Sequence, residues 1–316
     1  MIINDQWLTG NTWVTGGRGF IGRHLGRRLQ QTGHKVAGLG HGHWPEARSW
    51  GFTTWLNGDV RPDGLQTLLK LAGPPDAIFH LAGGSSVGPS IFSPAEDFQR
   101  TVESTLHLLE WVRTTVADAR VIYVSSAAVY GTGYKGPIRE NSPTHPTSPY
   151  GFHKRMGEEL AESYAQQFGL RVVIARLFSV YGPELKKQLL WDLCTRLYNG
   201  QSPLRLLGTG QEFRDWLHIE DAVGFLLHLS NEACSEPLTF NGGTGVGTAN
   251  QDLAEYLAAK WDSAISVVFT GEPRPGDPPC LVADTTASRR LGFEPTRTWQ
   301  DGIVEYLQWF RSTRGV

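Results

Sequence analysis

The feature that most constrains this chain is the stretch WVTGGRGFIG at residues 13–22. A short apolar run leads directly into Gly16, Gly17, Gly19 and Gly22, and a sequence with helical apolar spacing follows. Because glycine has no Cβ, such a loop can turn tightly and bring its backbone close to a pyrophosphate at the N-terminus of the following helix. The order of strand, G-x-G-x-x-G and helix therefore predicts a dinucleotide-binding unit.

The rest of the N-terminal half continues this alternation of short strands and helices. Strands are predicted over 12–15, 35–39, 77–81, 121–125 and 171–177, and helices over 21–32 and 95–116. Strands that alternate with helices form a mostly parallel sheet with helices on both faces. Beyond about residue 180 the pattern loosens, although a final amphipathic helix is predicted over 298–310. We therefore expect an α/β fold: a Rossmann-type doubly wound parallel sheet with a smaller C-terminal substrate-binding lobe.

The predicted dinucleotide-binding domain covers residues 1–178, and 217–245 are expected to return to it. The predicted lobe for a nucleotide sugar comprises 179–216 and 246–316. Ligand sites often lie between a core and such a lobe, so a cleft is expected there.

Composition excludes several classes of protein. The net charge of −2 comes without a basic block, so neither nucleic acid nor an anionic membrane is an expected partner. The first ten residues lack a long apolar core and no run approaches about 18 apolar residues, so no signal peptide or membrane span is expected. Cys194, Cys234 and Cys280 are odd in number and far apart, which predicts free thiols in a reducing cytoplasm. No metal site is expected; we interpret the close pair His41 and His43 as exposed loop residues.

The end of the second predicted strand bears on the choice of cofactor. It reads VAGLGHGHW, and the first acid after it is Glu46, so the carboxylate that usually binds the ribose hydroxyls of NAD is missing. Arg18 in the glycine loop is a cation suited to the 2′-phosphate of NADP(H), and His41, His43 and Arg48 could assist. We favour NADP(H) over NAD(H); the alternative is that Arg18 is a solvated loop residue.

Two further stretches, VIYVSSAAVYG at 121–131 and SPYGFHK at 148–154, predict a catalytic set. Tyr150 and Lys154 are one helical turn apart, so both side chains can face one cleft. A phenol titrates near pH 10, but an adjacent ammonium and a positively charged nicotinamide favour the phenolate. Ser126, at the end of a predicted strand, can hydrogen-bond the reacting oxygen. The predicted catalytic residues are therefore Ser126, Tyr150 and Lys154.

Together these motifs resemble the extended short-chain dehydrogenases/reductases, in the NAD-dependent epimerase/dehydratase group that acts on nucleotide sugars. The resemblance covers nearly the whole chain. Besides the motifs above it includes NGDV at 57–60, HLAG at 80–83, RLFSVYGP at 176–183, FRDWLHIEDA at 213–222 and RPGD at 274–277. It implies a nucleotide-diphosphate sugar as substrate, and a homodimer formed by the helices around 95–116 and 149–168.

The resemblance also implies residue roles. Asp59 and Val60 are expected to contact adenine, Ala82 to flank the cofactor phosphates or ribose, and Arg214 and Arg274 to hold the sugar diphosphate, which suits a planar guanidinium. The full expected cofactor set is Gly16, Gly17, Arg18, Gly19, Phe20, Ile21, Gly22, His41, Asp59, Val60, Leu81, Ala82, Gly83, Tyr150 and Lys154. The expected substrate set is Ser85, Ser126, Ser179, Arg214 and Arg274.

Departures from the family pattern decide between reactions. Ala127 and Ala128 stand where sugar 4,6-dehydratases carry acids, which argues against 4,6-dehydration. Thr101 replaces a usual helix Asn, and Ser179 replaces the Asn of RxxNVYGP. The leading prediction is NADPH-dependent reduction of a nucleotide-linked 4-keto(-6-deoxy) sugar at C4. The alternative is an NAD-dependent nucleotide-sugar 4-epimerase. A non-catalytic dinucleotide sensor is a third hypothesis, against which the intact catalytic set argues.

Overall fold

The computed structural model describes residues 10–233, 238–272 and 277–315. Its strands in chain order are β1 (Asn11–Thr15), β2 (Lys35–Gly40), β3 (Phe52–Asn57), β4 (Ala77–His80), β5 (Arg120–Ser126), β6 (Val172–Leu177), β7 (Ser179–Tyr181), β8 (Leu204–Leu206), β9 (Phe213–His218), β10 (Leu238–Gly242), β11 (Gly247–Ala249), β12 (Val267–Phe269) and β13 (Cys280–Leu281). Its helices are α1 (Phe20–Gln31), α2 (Pro62–Ala72), α3 (Val87–Phe92), α4 (Pro94–Phe98), α5 (Ser104–Thr115), α6 (Pro149–Phe168), α7 (Gln188–Tyr198), α8 (Ile219–Leu229), α9 (Asn250–Trp261), α10 (Thr286–Arg290) and α11 (Trp299–Arg314). Short 3₁₀ turns lie at Pro45–Trp50 and Ala127–Val129, and a π-helical turn at Gln99–Glu103.

The central sheet has seven strands in the order β10-β6-β5-β4-β1-β2-β3. Strand β1 pairs in parallel with both β2 and β4, β2 with β3, and β4 with β5. The chain therefore runs outward from β1 to β3 and then returns to β4 on the other side of β1. The predicted α/β Rossmann-type fold is confirmed. In such folds ligands bind where the strand order reverses, which here is the gap between the carboxyl ends of β1 and β4.

The inner strands of the sheet are buried on both faces, as a parallel sheet covered by helices requires. Every residue of β4 and of β6 is buried. Trp13 on β1 is inaccessible and stacks on Trp111 of α5, with ring centroids 5.3 Å apart. Such continuous apolar runs explain why the sequence pattern identifies these strands.

Strand β3 has no counterpart among the predicted strands. It lies at the edge of the sheet and is only partly buried, so its sequence FTTWLN carries no continuous apolar run. Phe52 and Trp55 instead pack on Trp44, with centroid distances of 5.3 and 5.0 Å. Aromatic packing from a neighbouring turn therefore stabilises a strand that the local pattern does not indicate.

The predicted helix over 95–116 is interrupted, because a π-helical turn separates α4 from α5. The hydroxyl of Ser104 donates to the carbonyl of Arg100, and that of Thr105 to the carbonyl of Thr101, each at 2.5 Å. Side-chain hydroxyls that bond to preceding carbonyls bend helices, and widened turns often mark functional sites. The interruption lies beside the site described below.

The described residues fall into two compact units. The first unit takes those within 1–131, 143–176 and 223–240, and the second those within 132–142, 177–222 and 241–316. These boundaries differ from the predicted ones, since 132–142, 177–178, 217–222 and 241–245 belong to the second unit. Backbone hydrogen bonds explain the first difference: Ile138 donates to Val282 at 2.8 Å and accepts from Asp284 at 2.9 Å. The binding roles assigned to the predicted domains stay predictions.

The structure bears on the cysteines and on the question of a membrane-spanning helix. Cys194 and Cys280 are buried free thiols, and burial raises the pKa of Cys194 to about 12. Cys234 lies outside the described residues. In the part of the chain that the structure describes, no helix has both the length and the apolar character needed to cross a bilayer.

A buried ion pair fixes the 20-residue helix α6 to the sheet. Arg176 on β6 donates through Nε and Nη2 to the two carboxylate oxygens of Glu158, at 2.9 and 2.8 Å. Ser125 on β5 donates to Glu158 at 2.6 Å, and Arg176 donates to the hydroxyl of Tyr130 at 3.0 Å. Both ionic side chains are almost inaccessible to solvent. The pair therefore ties α6 to β5 and β6 at a defined register.

Arg176→Met is expected to lower the free energy of unfolding by about 3–5 kcal/mol, because the buried Glu158 carboxylate loses its two-point guanidinium partner and keeps only the single ionic contact with Arg155. Denaturant titration measures this change. Arg113→Met is the matched control: its guanidinium pairs with Glu110 near the surface, so the expected loss is at most about 1 kcal/mol. Equal losses in both variants would contradict the anchoring role of the buried pair.

Candidate functional site

A cleft of about 660 Å³ opens in the first unit at the carboxyl ends of β1, β2, β3 and β4. The walls come from the loops that follow these four strands and from the helices α4 and α5. Ten residues from the expected site sets line it: Gly16, Arg18, Gly19, His41, Asp59, Val60, Leu81, Ala82, Gly83 and Ser85. Its position is where the reversal of strand order places a ligand site.

The glycine loop forms a cradle that larger residues could not form. Gly16 has φ +69°, and a Cβ on it would lie 2.8 Å from the backbone nitrogen of Ala82. A Cβ on Gly22 would lie 2.6 Å from the carbonyl oxygen of Gly16. Helix α1 begins directly after Gly19, so its first backbone N–H groups and its positive dipole end lie at the loop. The loop therefore fits the pyrophosphate of a dinucleotide.

The other expected cofactor residues of this loop do not line the cleft. Gly17 faces the opposite side, where a Cβ would lie 2.7 Å from the Phe52 ring. Phe20, Ile21 and Gly22 form the first turn of α1 behind the loop. These residues set the shape of the cradle without lining it.

Sequence reasoning missed half of the lining. The missed residues are Arg23, Gly40, Gly58, Arg61, Glu96, Gln99, Arg100, Glu103, Ser104 and His107. Gly40 and Gly58 come at the ends of strands, so strand-end glycines could have indicated them. The residues from 96 to 107 belong to a helical wall whose place depends on tertiary packing and leaves no local signal.

One end of the cleft, beyond β2 and β3, carries both a cation and a carboxylate. His41 Nε2 lies 2.5 Å from Asp59 Oδ1, and Arg61 Nε lies 3.9 Å from Asp59 Oδ2. Arg18 donates to the carbonyl of His41 at 3.4 Å. Among the described residues no carboxylate pairs with Arg18. The Asp59 carboxylate thus contacts the side chains of His41 and Arg61, whereas the Arg18 guanidinium contacts no carboxylate among the described residues.

The structure brings the expected catalytic residues together in the first unit. Ser126 is the last residue of β5, and a hydrogen bond joins its side chain to that of Tyr150 at the start of α6. Ser148 caps this helix by accepting from Gly151 at 3.2 Å, and Ser90 accepts from the backbone nitrogen of Tyr150 at 3.1 Å. These serines fix the first turn of α6 and with it the direction of the phenol.

The ammonium of Lys154 lies directly behind the wall of the cleft. It is buried, donates to the carbonyl of Val124 at 2.9 Å, and would lie 3.3 Å from a Cβ on the cleft-lining Gly83. Burial lowers the pKa of Lys154 to about 8, while the carboxylates of Asp97 and Glu158 act in the opposite direction. Gly83 is therefore the point at which the cleft and the expected catalytic residues meet.

The protein's own electrostatics hold Tyr150 in its neutral form. Burial raises the pKa of Tyr150 above its ordinary value, the hydrogen bond with Ser126 lowers it, and the Asp97 carboxylate raises it further. The sequence predicts that Lys154 lowers the pKa of Tyr150. In the structure that pKa is raised instead, because burial outweighs the effects that favour the phenolate. The surroundings that the protein itself provides therefore favour the protonated phenol.

A neutral histidine positions the loop after β4. The Thr105 hydroxyl donates its one proton to the carbonyl of Thr101. In its contact with His80 Nε2, at 3.1 Å, the same hydroxyl must therefore accept the hydrogen bond. Nδ1 of the same ring accepts from Thr15 Oγ1 at 2.7 Å, and Thr15 in turn accepts from the backbone nitrogen of Ala82 at 3.2 Å. Burial, followed by the charge of the nearby lysine, lowers the pKa of His80 to about 3. The hydrogen bonds thus assign the Nε2–H tautomer.

Thr101, which replaces the usual Asn, also acts on this loop. Its hydroxyl accepts from the backbone nitrogen of Gly84 at 2.8 Å, and its side chain is fully buried. A Cβ on Gly83 would lie 3.2 Å from the same hydroxyl. Thr101 therefore supports, from behind, the loop that lines the cleft beside Lys154.

The structure describes two of the three substrate-binding residues that are expected in the second unit. Ser179 is half-buried in β7, which pairs in parallel with β9. Arg214 on β9 lies with Nη2 2.5 Å from Asp277 Oδ1 and donates through Nη1 to the carbonyl of Pro278 at 2.7 Å. Arg274 lies outside the described residues. The contact of Ser179 and Arg214 with a substrate stays a prediction.

Comparison with known proteins gives a consistent result. A family model described as the NAD dependent epimerase/dehydratase family matches residues 12–243. The UDP-glucose 4-epimerase of Azospirillum brasilense is 32% identical over 95% of this chain and 91% of its own length. Curated dTDP-glucose 4,6-dehydratases are also among the relatives.

Solved structures agree with these relatives. The crystal structure of the UDP-glucose 4-epimerase of Thermotoga maritima with UDP-glucose has a TM-score of 0.87 and 28% identity, and covers 96% of this chain and 99% of that one. MoeE5 in complex with UDP-glucose and NAD has a TM-score of 0.85 and 28% identity, covering 96% and 100%. Both likenesses extend over nearly the whole chain.

Gly22→Ala is expected to weaken dinucleotide binding at least tenfold, because its Cβ overlaps the carbonyl of Gly16 and forces the cradle open. Isothermal calorimetry with NAD⁺ measures the affinity. Gly224→Ala is the matched control, since Gly224 also lies in a helix but a Cβ there meets no neighbour within 4 Å. Unchanged NAD⁺ affinity in both variants would contradict the role of the cradle.

Proposed function

Because the chain belongs to the NAD dependent epimerase/dehydratase family, we propose that it inverts the C4 hydroxyl of a nucleotide hexose, using bound NAD(H). The observation that carries this proposal is that the site offers a single acid–base group, Tyr150, which is hydrogen-bonded to Ser126. Two alanines follow Ser126 in the sequence, in place of further acids. Epimerisation at C4 needs only this one group. The epimerases among the relatives support it over the 4-ketoreductase that the sequence alone favours.

Dehydration fits the site less well, although dehydratases share the family. Loss of the 6-hydroxyl requires an acid for the leaving group and a base for the C5 proton. Ala127 is buried, and Ala128 donates its backbone N–H to Ser126 Oγ at 3.2 Å. Neither methyl side chain can exchange a proton, which supports a reaction confined to C4.

The chain's residues have distinct roles in the proposed reaction. When bound, the nicotinamide takes up a hydride and gives it back. Tyr150 removes the proton of the 4-hydroxyl and later returns a proton to the 4-oxygen after the sugar has turned. Ser126 hydrogen-bonds the same oxygen, and the Lys154 ammonium stabilises the phenolate by its positive charge. The sugar regains all its atoms and electrons, so no net reductant is consumed.

The cofactor is proposed to lie along the glycine loop. The backbone at Gly16 and Gly19 would hold its pyrophosphate, Asp59 and Val60 would contact its adenosine, and Gly83 and Tyr150 would border its nicotinamide. The cradle and the cleft of the first unit support this placement. NAD in complex with a structural neighbour supports the cofactor class.

One observation favours a second candidate, the NADPH-dependent 4-ketoreductase. Arg18 lines the cleft at the end of β2, is exposed, and pairs with no carboxylate among the described residues. Such a guanidinium suits a 2′-phosphate, since it offers paired donors to phosphate oxygens. A phosphorylated cofactor that binds and leaves in each cycle is what a reductase requires.

An exposed apolar surface supports the expected homodimer. Phe152 and Met156 on α6 and Leu106 on α5 are 50%, 40% and 41% exposed, and Phe92 at the end of α3 is 89% exposed. Apolar clusters of this kind on neighbouring helices are typical of protein interfaces. We propose that a second copy of the chain covers them through α5 and α6.

Tyr150→Phe is expected to reduce interconversion of UDP-glucose and UDP-galactose by roughly 100- to 10,000-fold, because it removes the acid–base group and leaves the ring. Tyr164→Phe on the same helix is the control, since its hydroxyl bonds only Glu110 on the surface. Product sugars are measured by chromatography with no NADPH supplied. Conversion that survives in Tyr150→Phe, or turnover of a 4-keto sugar with consumption of NADPH by the wild type, would contradict the epimerase.

Arg18→Ala tests the second candidate. If Arg18 binds a 2′-phosphate, its loss lowers the affinity for NADP⁺ at least tenfold and leaves that for NAD⁺ unchanged. Arg27→Ala is the matched control, because this arginine is also exposed and lies on α1, the helix that follows the loop of Arg18, but packs on Trp50 at 3.9 Å from the ring centroid. Calorimetry with the two cofactors gives the ratio. Equal affinities in the wild type would remove the support for a reductase.

A further inference from the structure

A buried carboxylate–imidazole pair lies beside the proposed acid–base group and has no part in the proposed reaction. His153 Nδ1 donates to Asp97 Oδ2 at 2.6 Å. Asp97 is 6% exposed and His153 9% exposed. The pair joins α4 to α6, and the Phe98 ring covers the imidazole edge at a centroid distance of 5.4 Å. A charged side chain is rarely buried so deeply unless it is paired and has a role.

The pair lies at the junction of the cleft and the catalytic helix. His153 follows Tyr150 by three residues and precedes Lys154, so all three share the inner face of α6. The second carboxylate oxygen of Asp97 rests against Gly84, where any Cβ would overlap it. Gly84 directly follows the cleft-lining Gly83. Asp97 therefore places a negative charge between the loop of the cleft and the helix that carries the phenol and the ammonium.

This charge acts on both proposed catalytic groups. After burial and the Ser126 hydrogen bond, the Asp97 carboxylate is the next influence on Tyr150 and raises its pKa. It also raises the pKa of Lys154 against the larger effect of burial. In each case the negative charge favours the form that carries the proton.

Few other titratable groups face these two residues from the elements packed on α6. They are His80 on β4, Tyr123 on β5 and Glu158 on α6 itself. Helix α3 and the turn after β5 carry no titratable side chain. On α4, the π-helical turn and α5, Glu96 pairs with Arg100 and Glu110 with Arg113, while Glu103 and His107 line the cleft. His80 is neutral and Glu158 is held by Arg176, which leaves Asp97 as the carboxylate that acts on both groups without a guanidinium partner.

We propose that His153 fixes Asp97 as a positioning charge that keeps the Lys154 ammonium protonated throughout and keeps the Tyr150 phenol protonated until a positively charged nicotinamide occupies the cleft. The role rests on the proposed function, and it couples formation of the base to the presence of the oxidised cofactor. The carboxylate acts through Tyr150 and Lys154 and need not touch the substrate. Its charge is essential to this role, whereas the imidazole is needed only as a hydrogen-bond donor.

Asp97→Asn tests the charge, because the amide oxygen can still accept from His153. We expect the pKa of Tyr150 to fall by about one pH unit, a tenfold change in acid dissociation. The tyrosinate absorption band reports this pKa, taken as the difference between each protein and the same protein carrying Tyr150→Phe. The acid limb of kcat/KM for UDP-glucose is expected to move to lower pH by the same amount.

His153→Asn keeps a donor near Nδ1 and is expected to leave both measurements close to the wild type. Glu159→Gln is the matched control on α6, since this exposed carboxylate pairs only with Arg155. If Asp97→Asn fails to fold, Asp97→Ser removes the charge with a smaller side chain and takes its place.

An unchanged Tyr150 pKa in the charge-removing variant, or an equal shift in Glu159→Gln, overturns the proposed role of Asp97. The absorption titration needs no turnover, so it separates this role from the reaction. A shifted pKa in a protein that converts no UDP-glucose supports the charge and contradicts the epimerase. Normal epimerase activity together with an unshifted Tyr150 pKa supports the proposed reaction and contradicts the role of Asp97.

Discussion

Two charges with almost no access to solvent, Glu158 and Arg176, hold α6 against β5 and β6. Removing both from water is costly, and the structure offsets this cost with a two-point contact between them and with bonds from Ser125 and to Tyr130. The contact permits only one register of the helix. Because Ser126 ends the same strand that carries Ser125, that register also determines where the Tyr150 phenol meets the serine.

Around this fixed frame, the charges near the phenol do not favour its ionisation. Burial holds Tyr150 neutral, the ammonium of Lys154 is turned to a backbone carbonyl, and His80 carries no charge. Asp97 adds a negative charge to the same surroundings. In the protein alone these surroundings favour the protonated phenol, so positive charge from a bound ligand would be needed to favour the phenolate.

Much of this architecture can be predicted from the sequence, because its signals are local. The strand–glycine–helix order and the one-turn spacing of Tyr150 and Lys154 identify the fold and bring together the residues expected at its site. Edge strand β3, the π-helical turn and the helical wall of the cleft leave no such signal, since packing between distant segments creates them. The pair of Asp97 and His153 is missed for the same reason: 56 residues separate its members. The choice between epimerase and reductase is likewise not local, because Arg18 and Asp59 both contact His41, and these three residues follow three different strands.

The hydrogen bonds through His80 have a direction. From the amide of Ala82, through Thr15, the ring and Thr105, to the carbonyl of Thr101, every donor points the same way. Both ends are backbone groups, which neither gain nor lose protons in water at ordinary pH. A proton cannot travel along such a row unless each member rotates and the ring changes tautomer. This row of hydrogen bonds is therefore an insulator for protons: it holds the loop after β4 in place without offering a path along which a proton could leave the site.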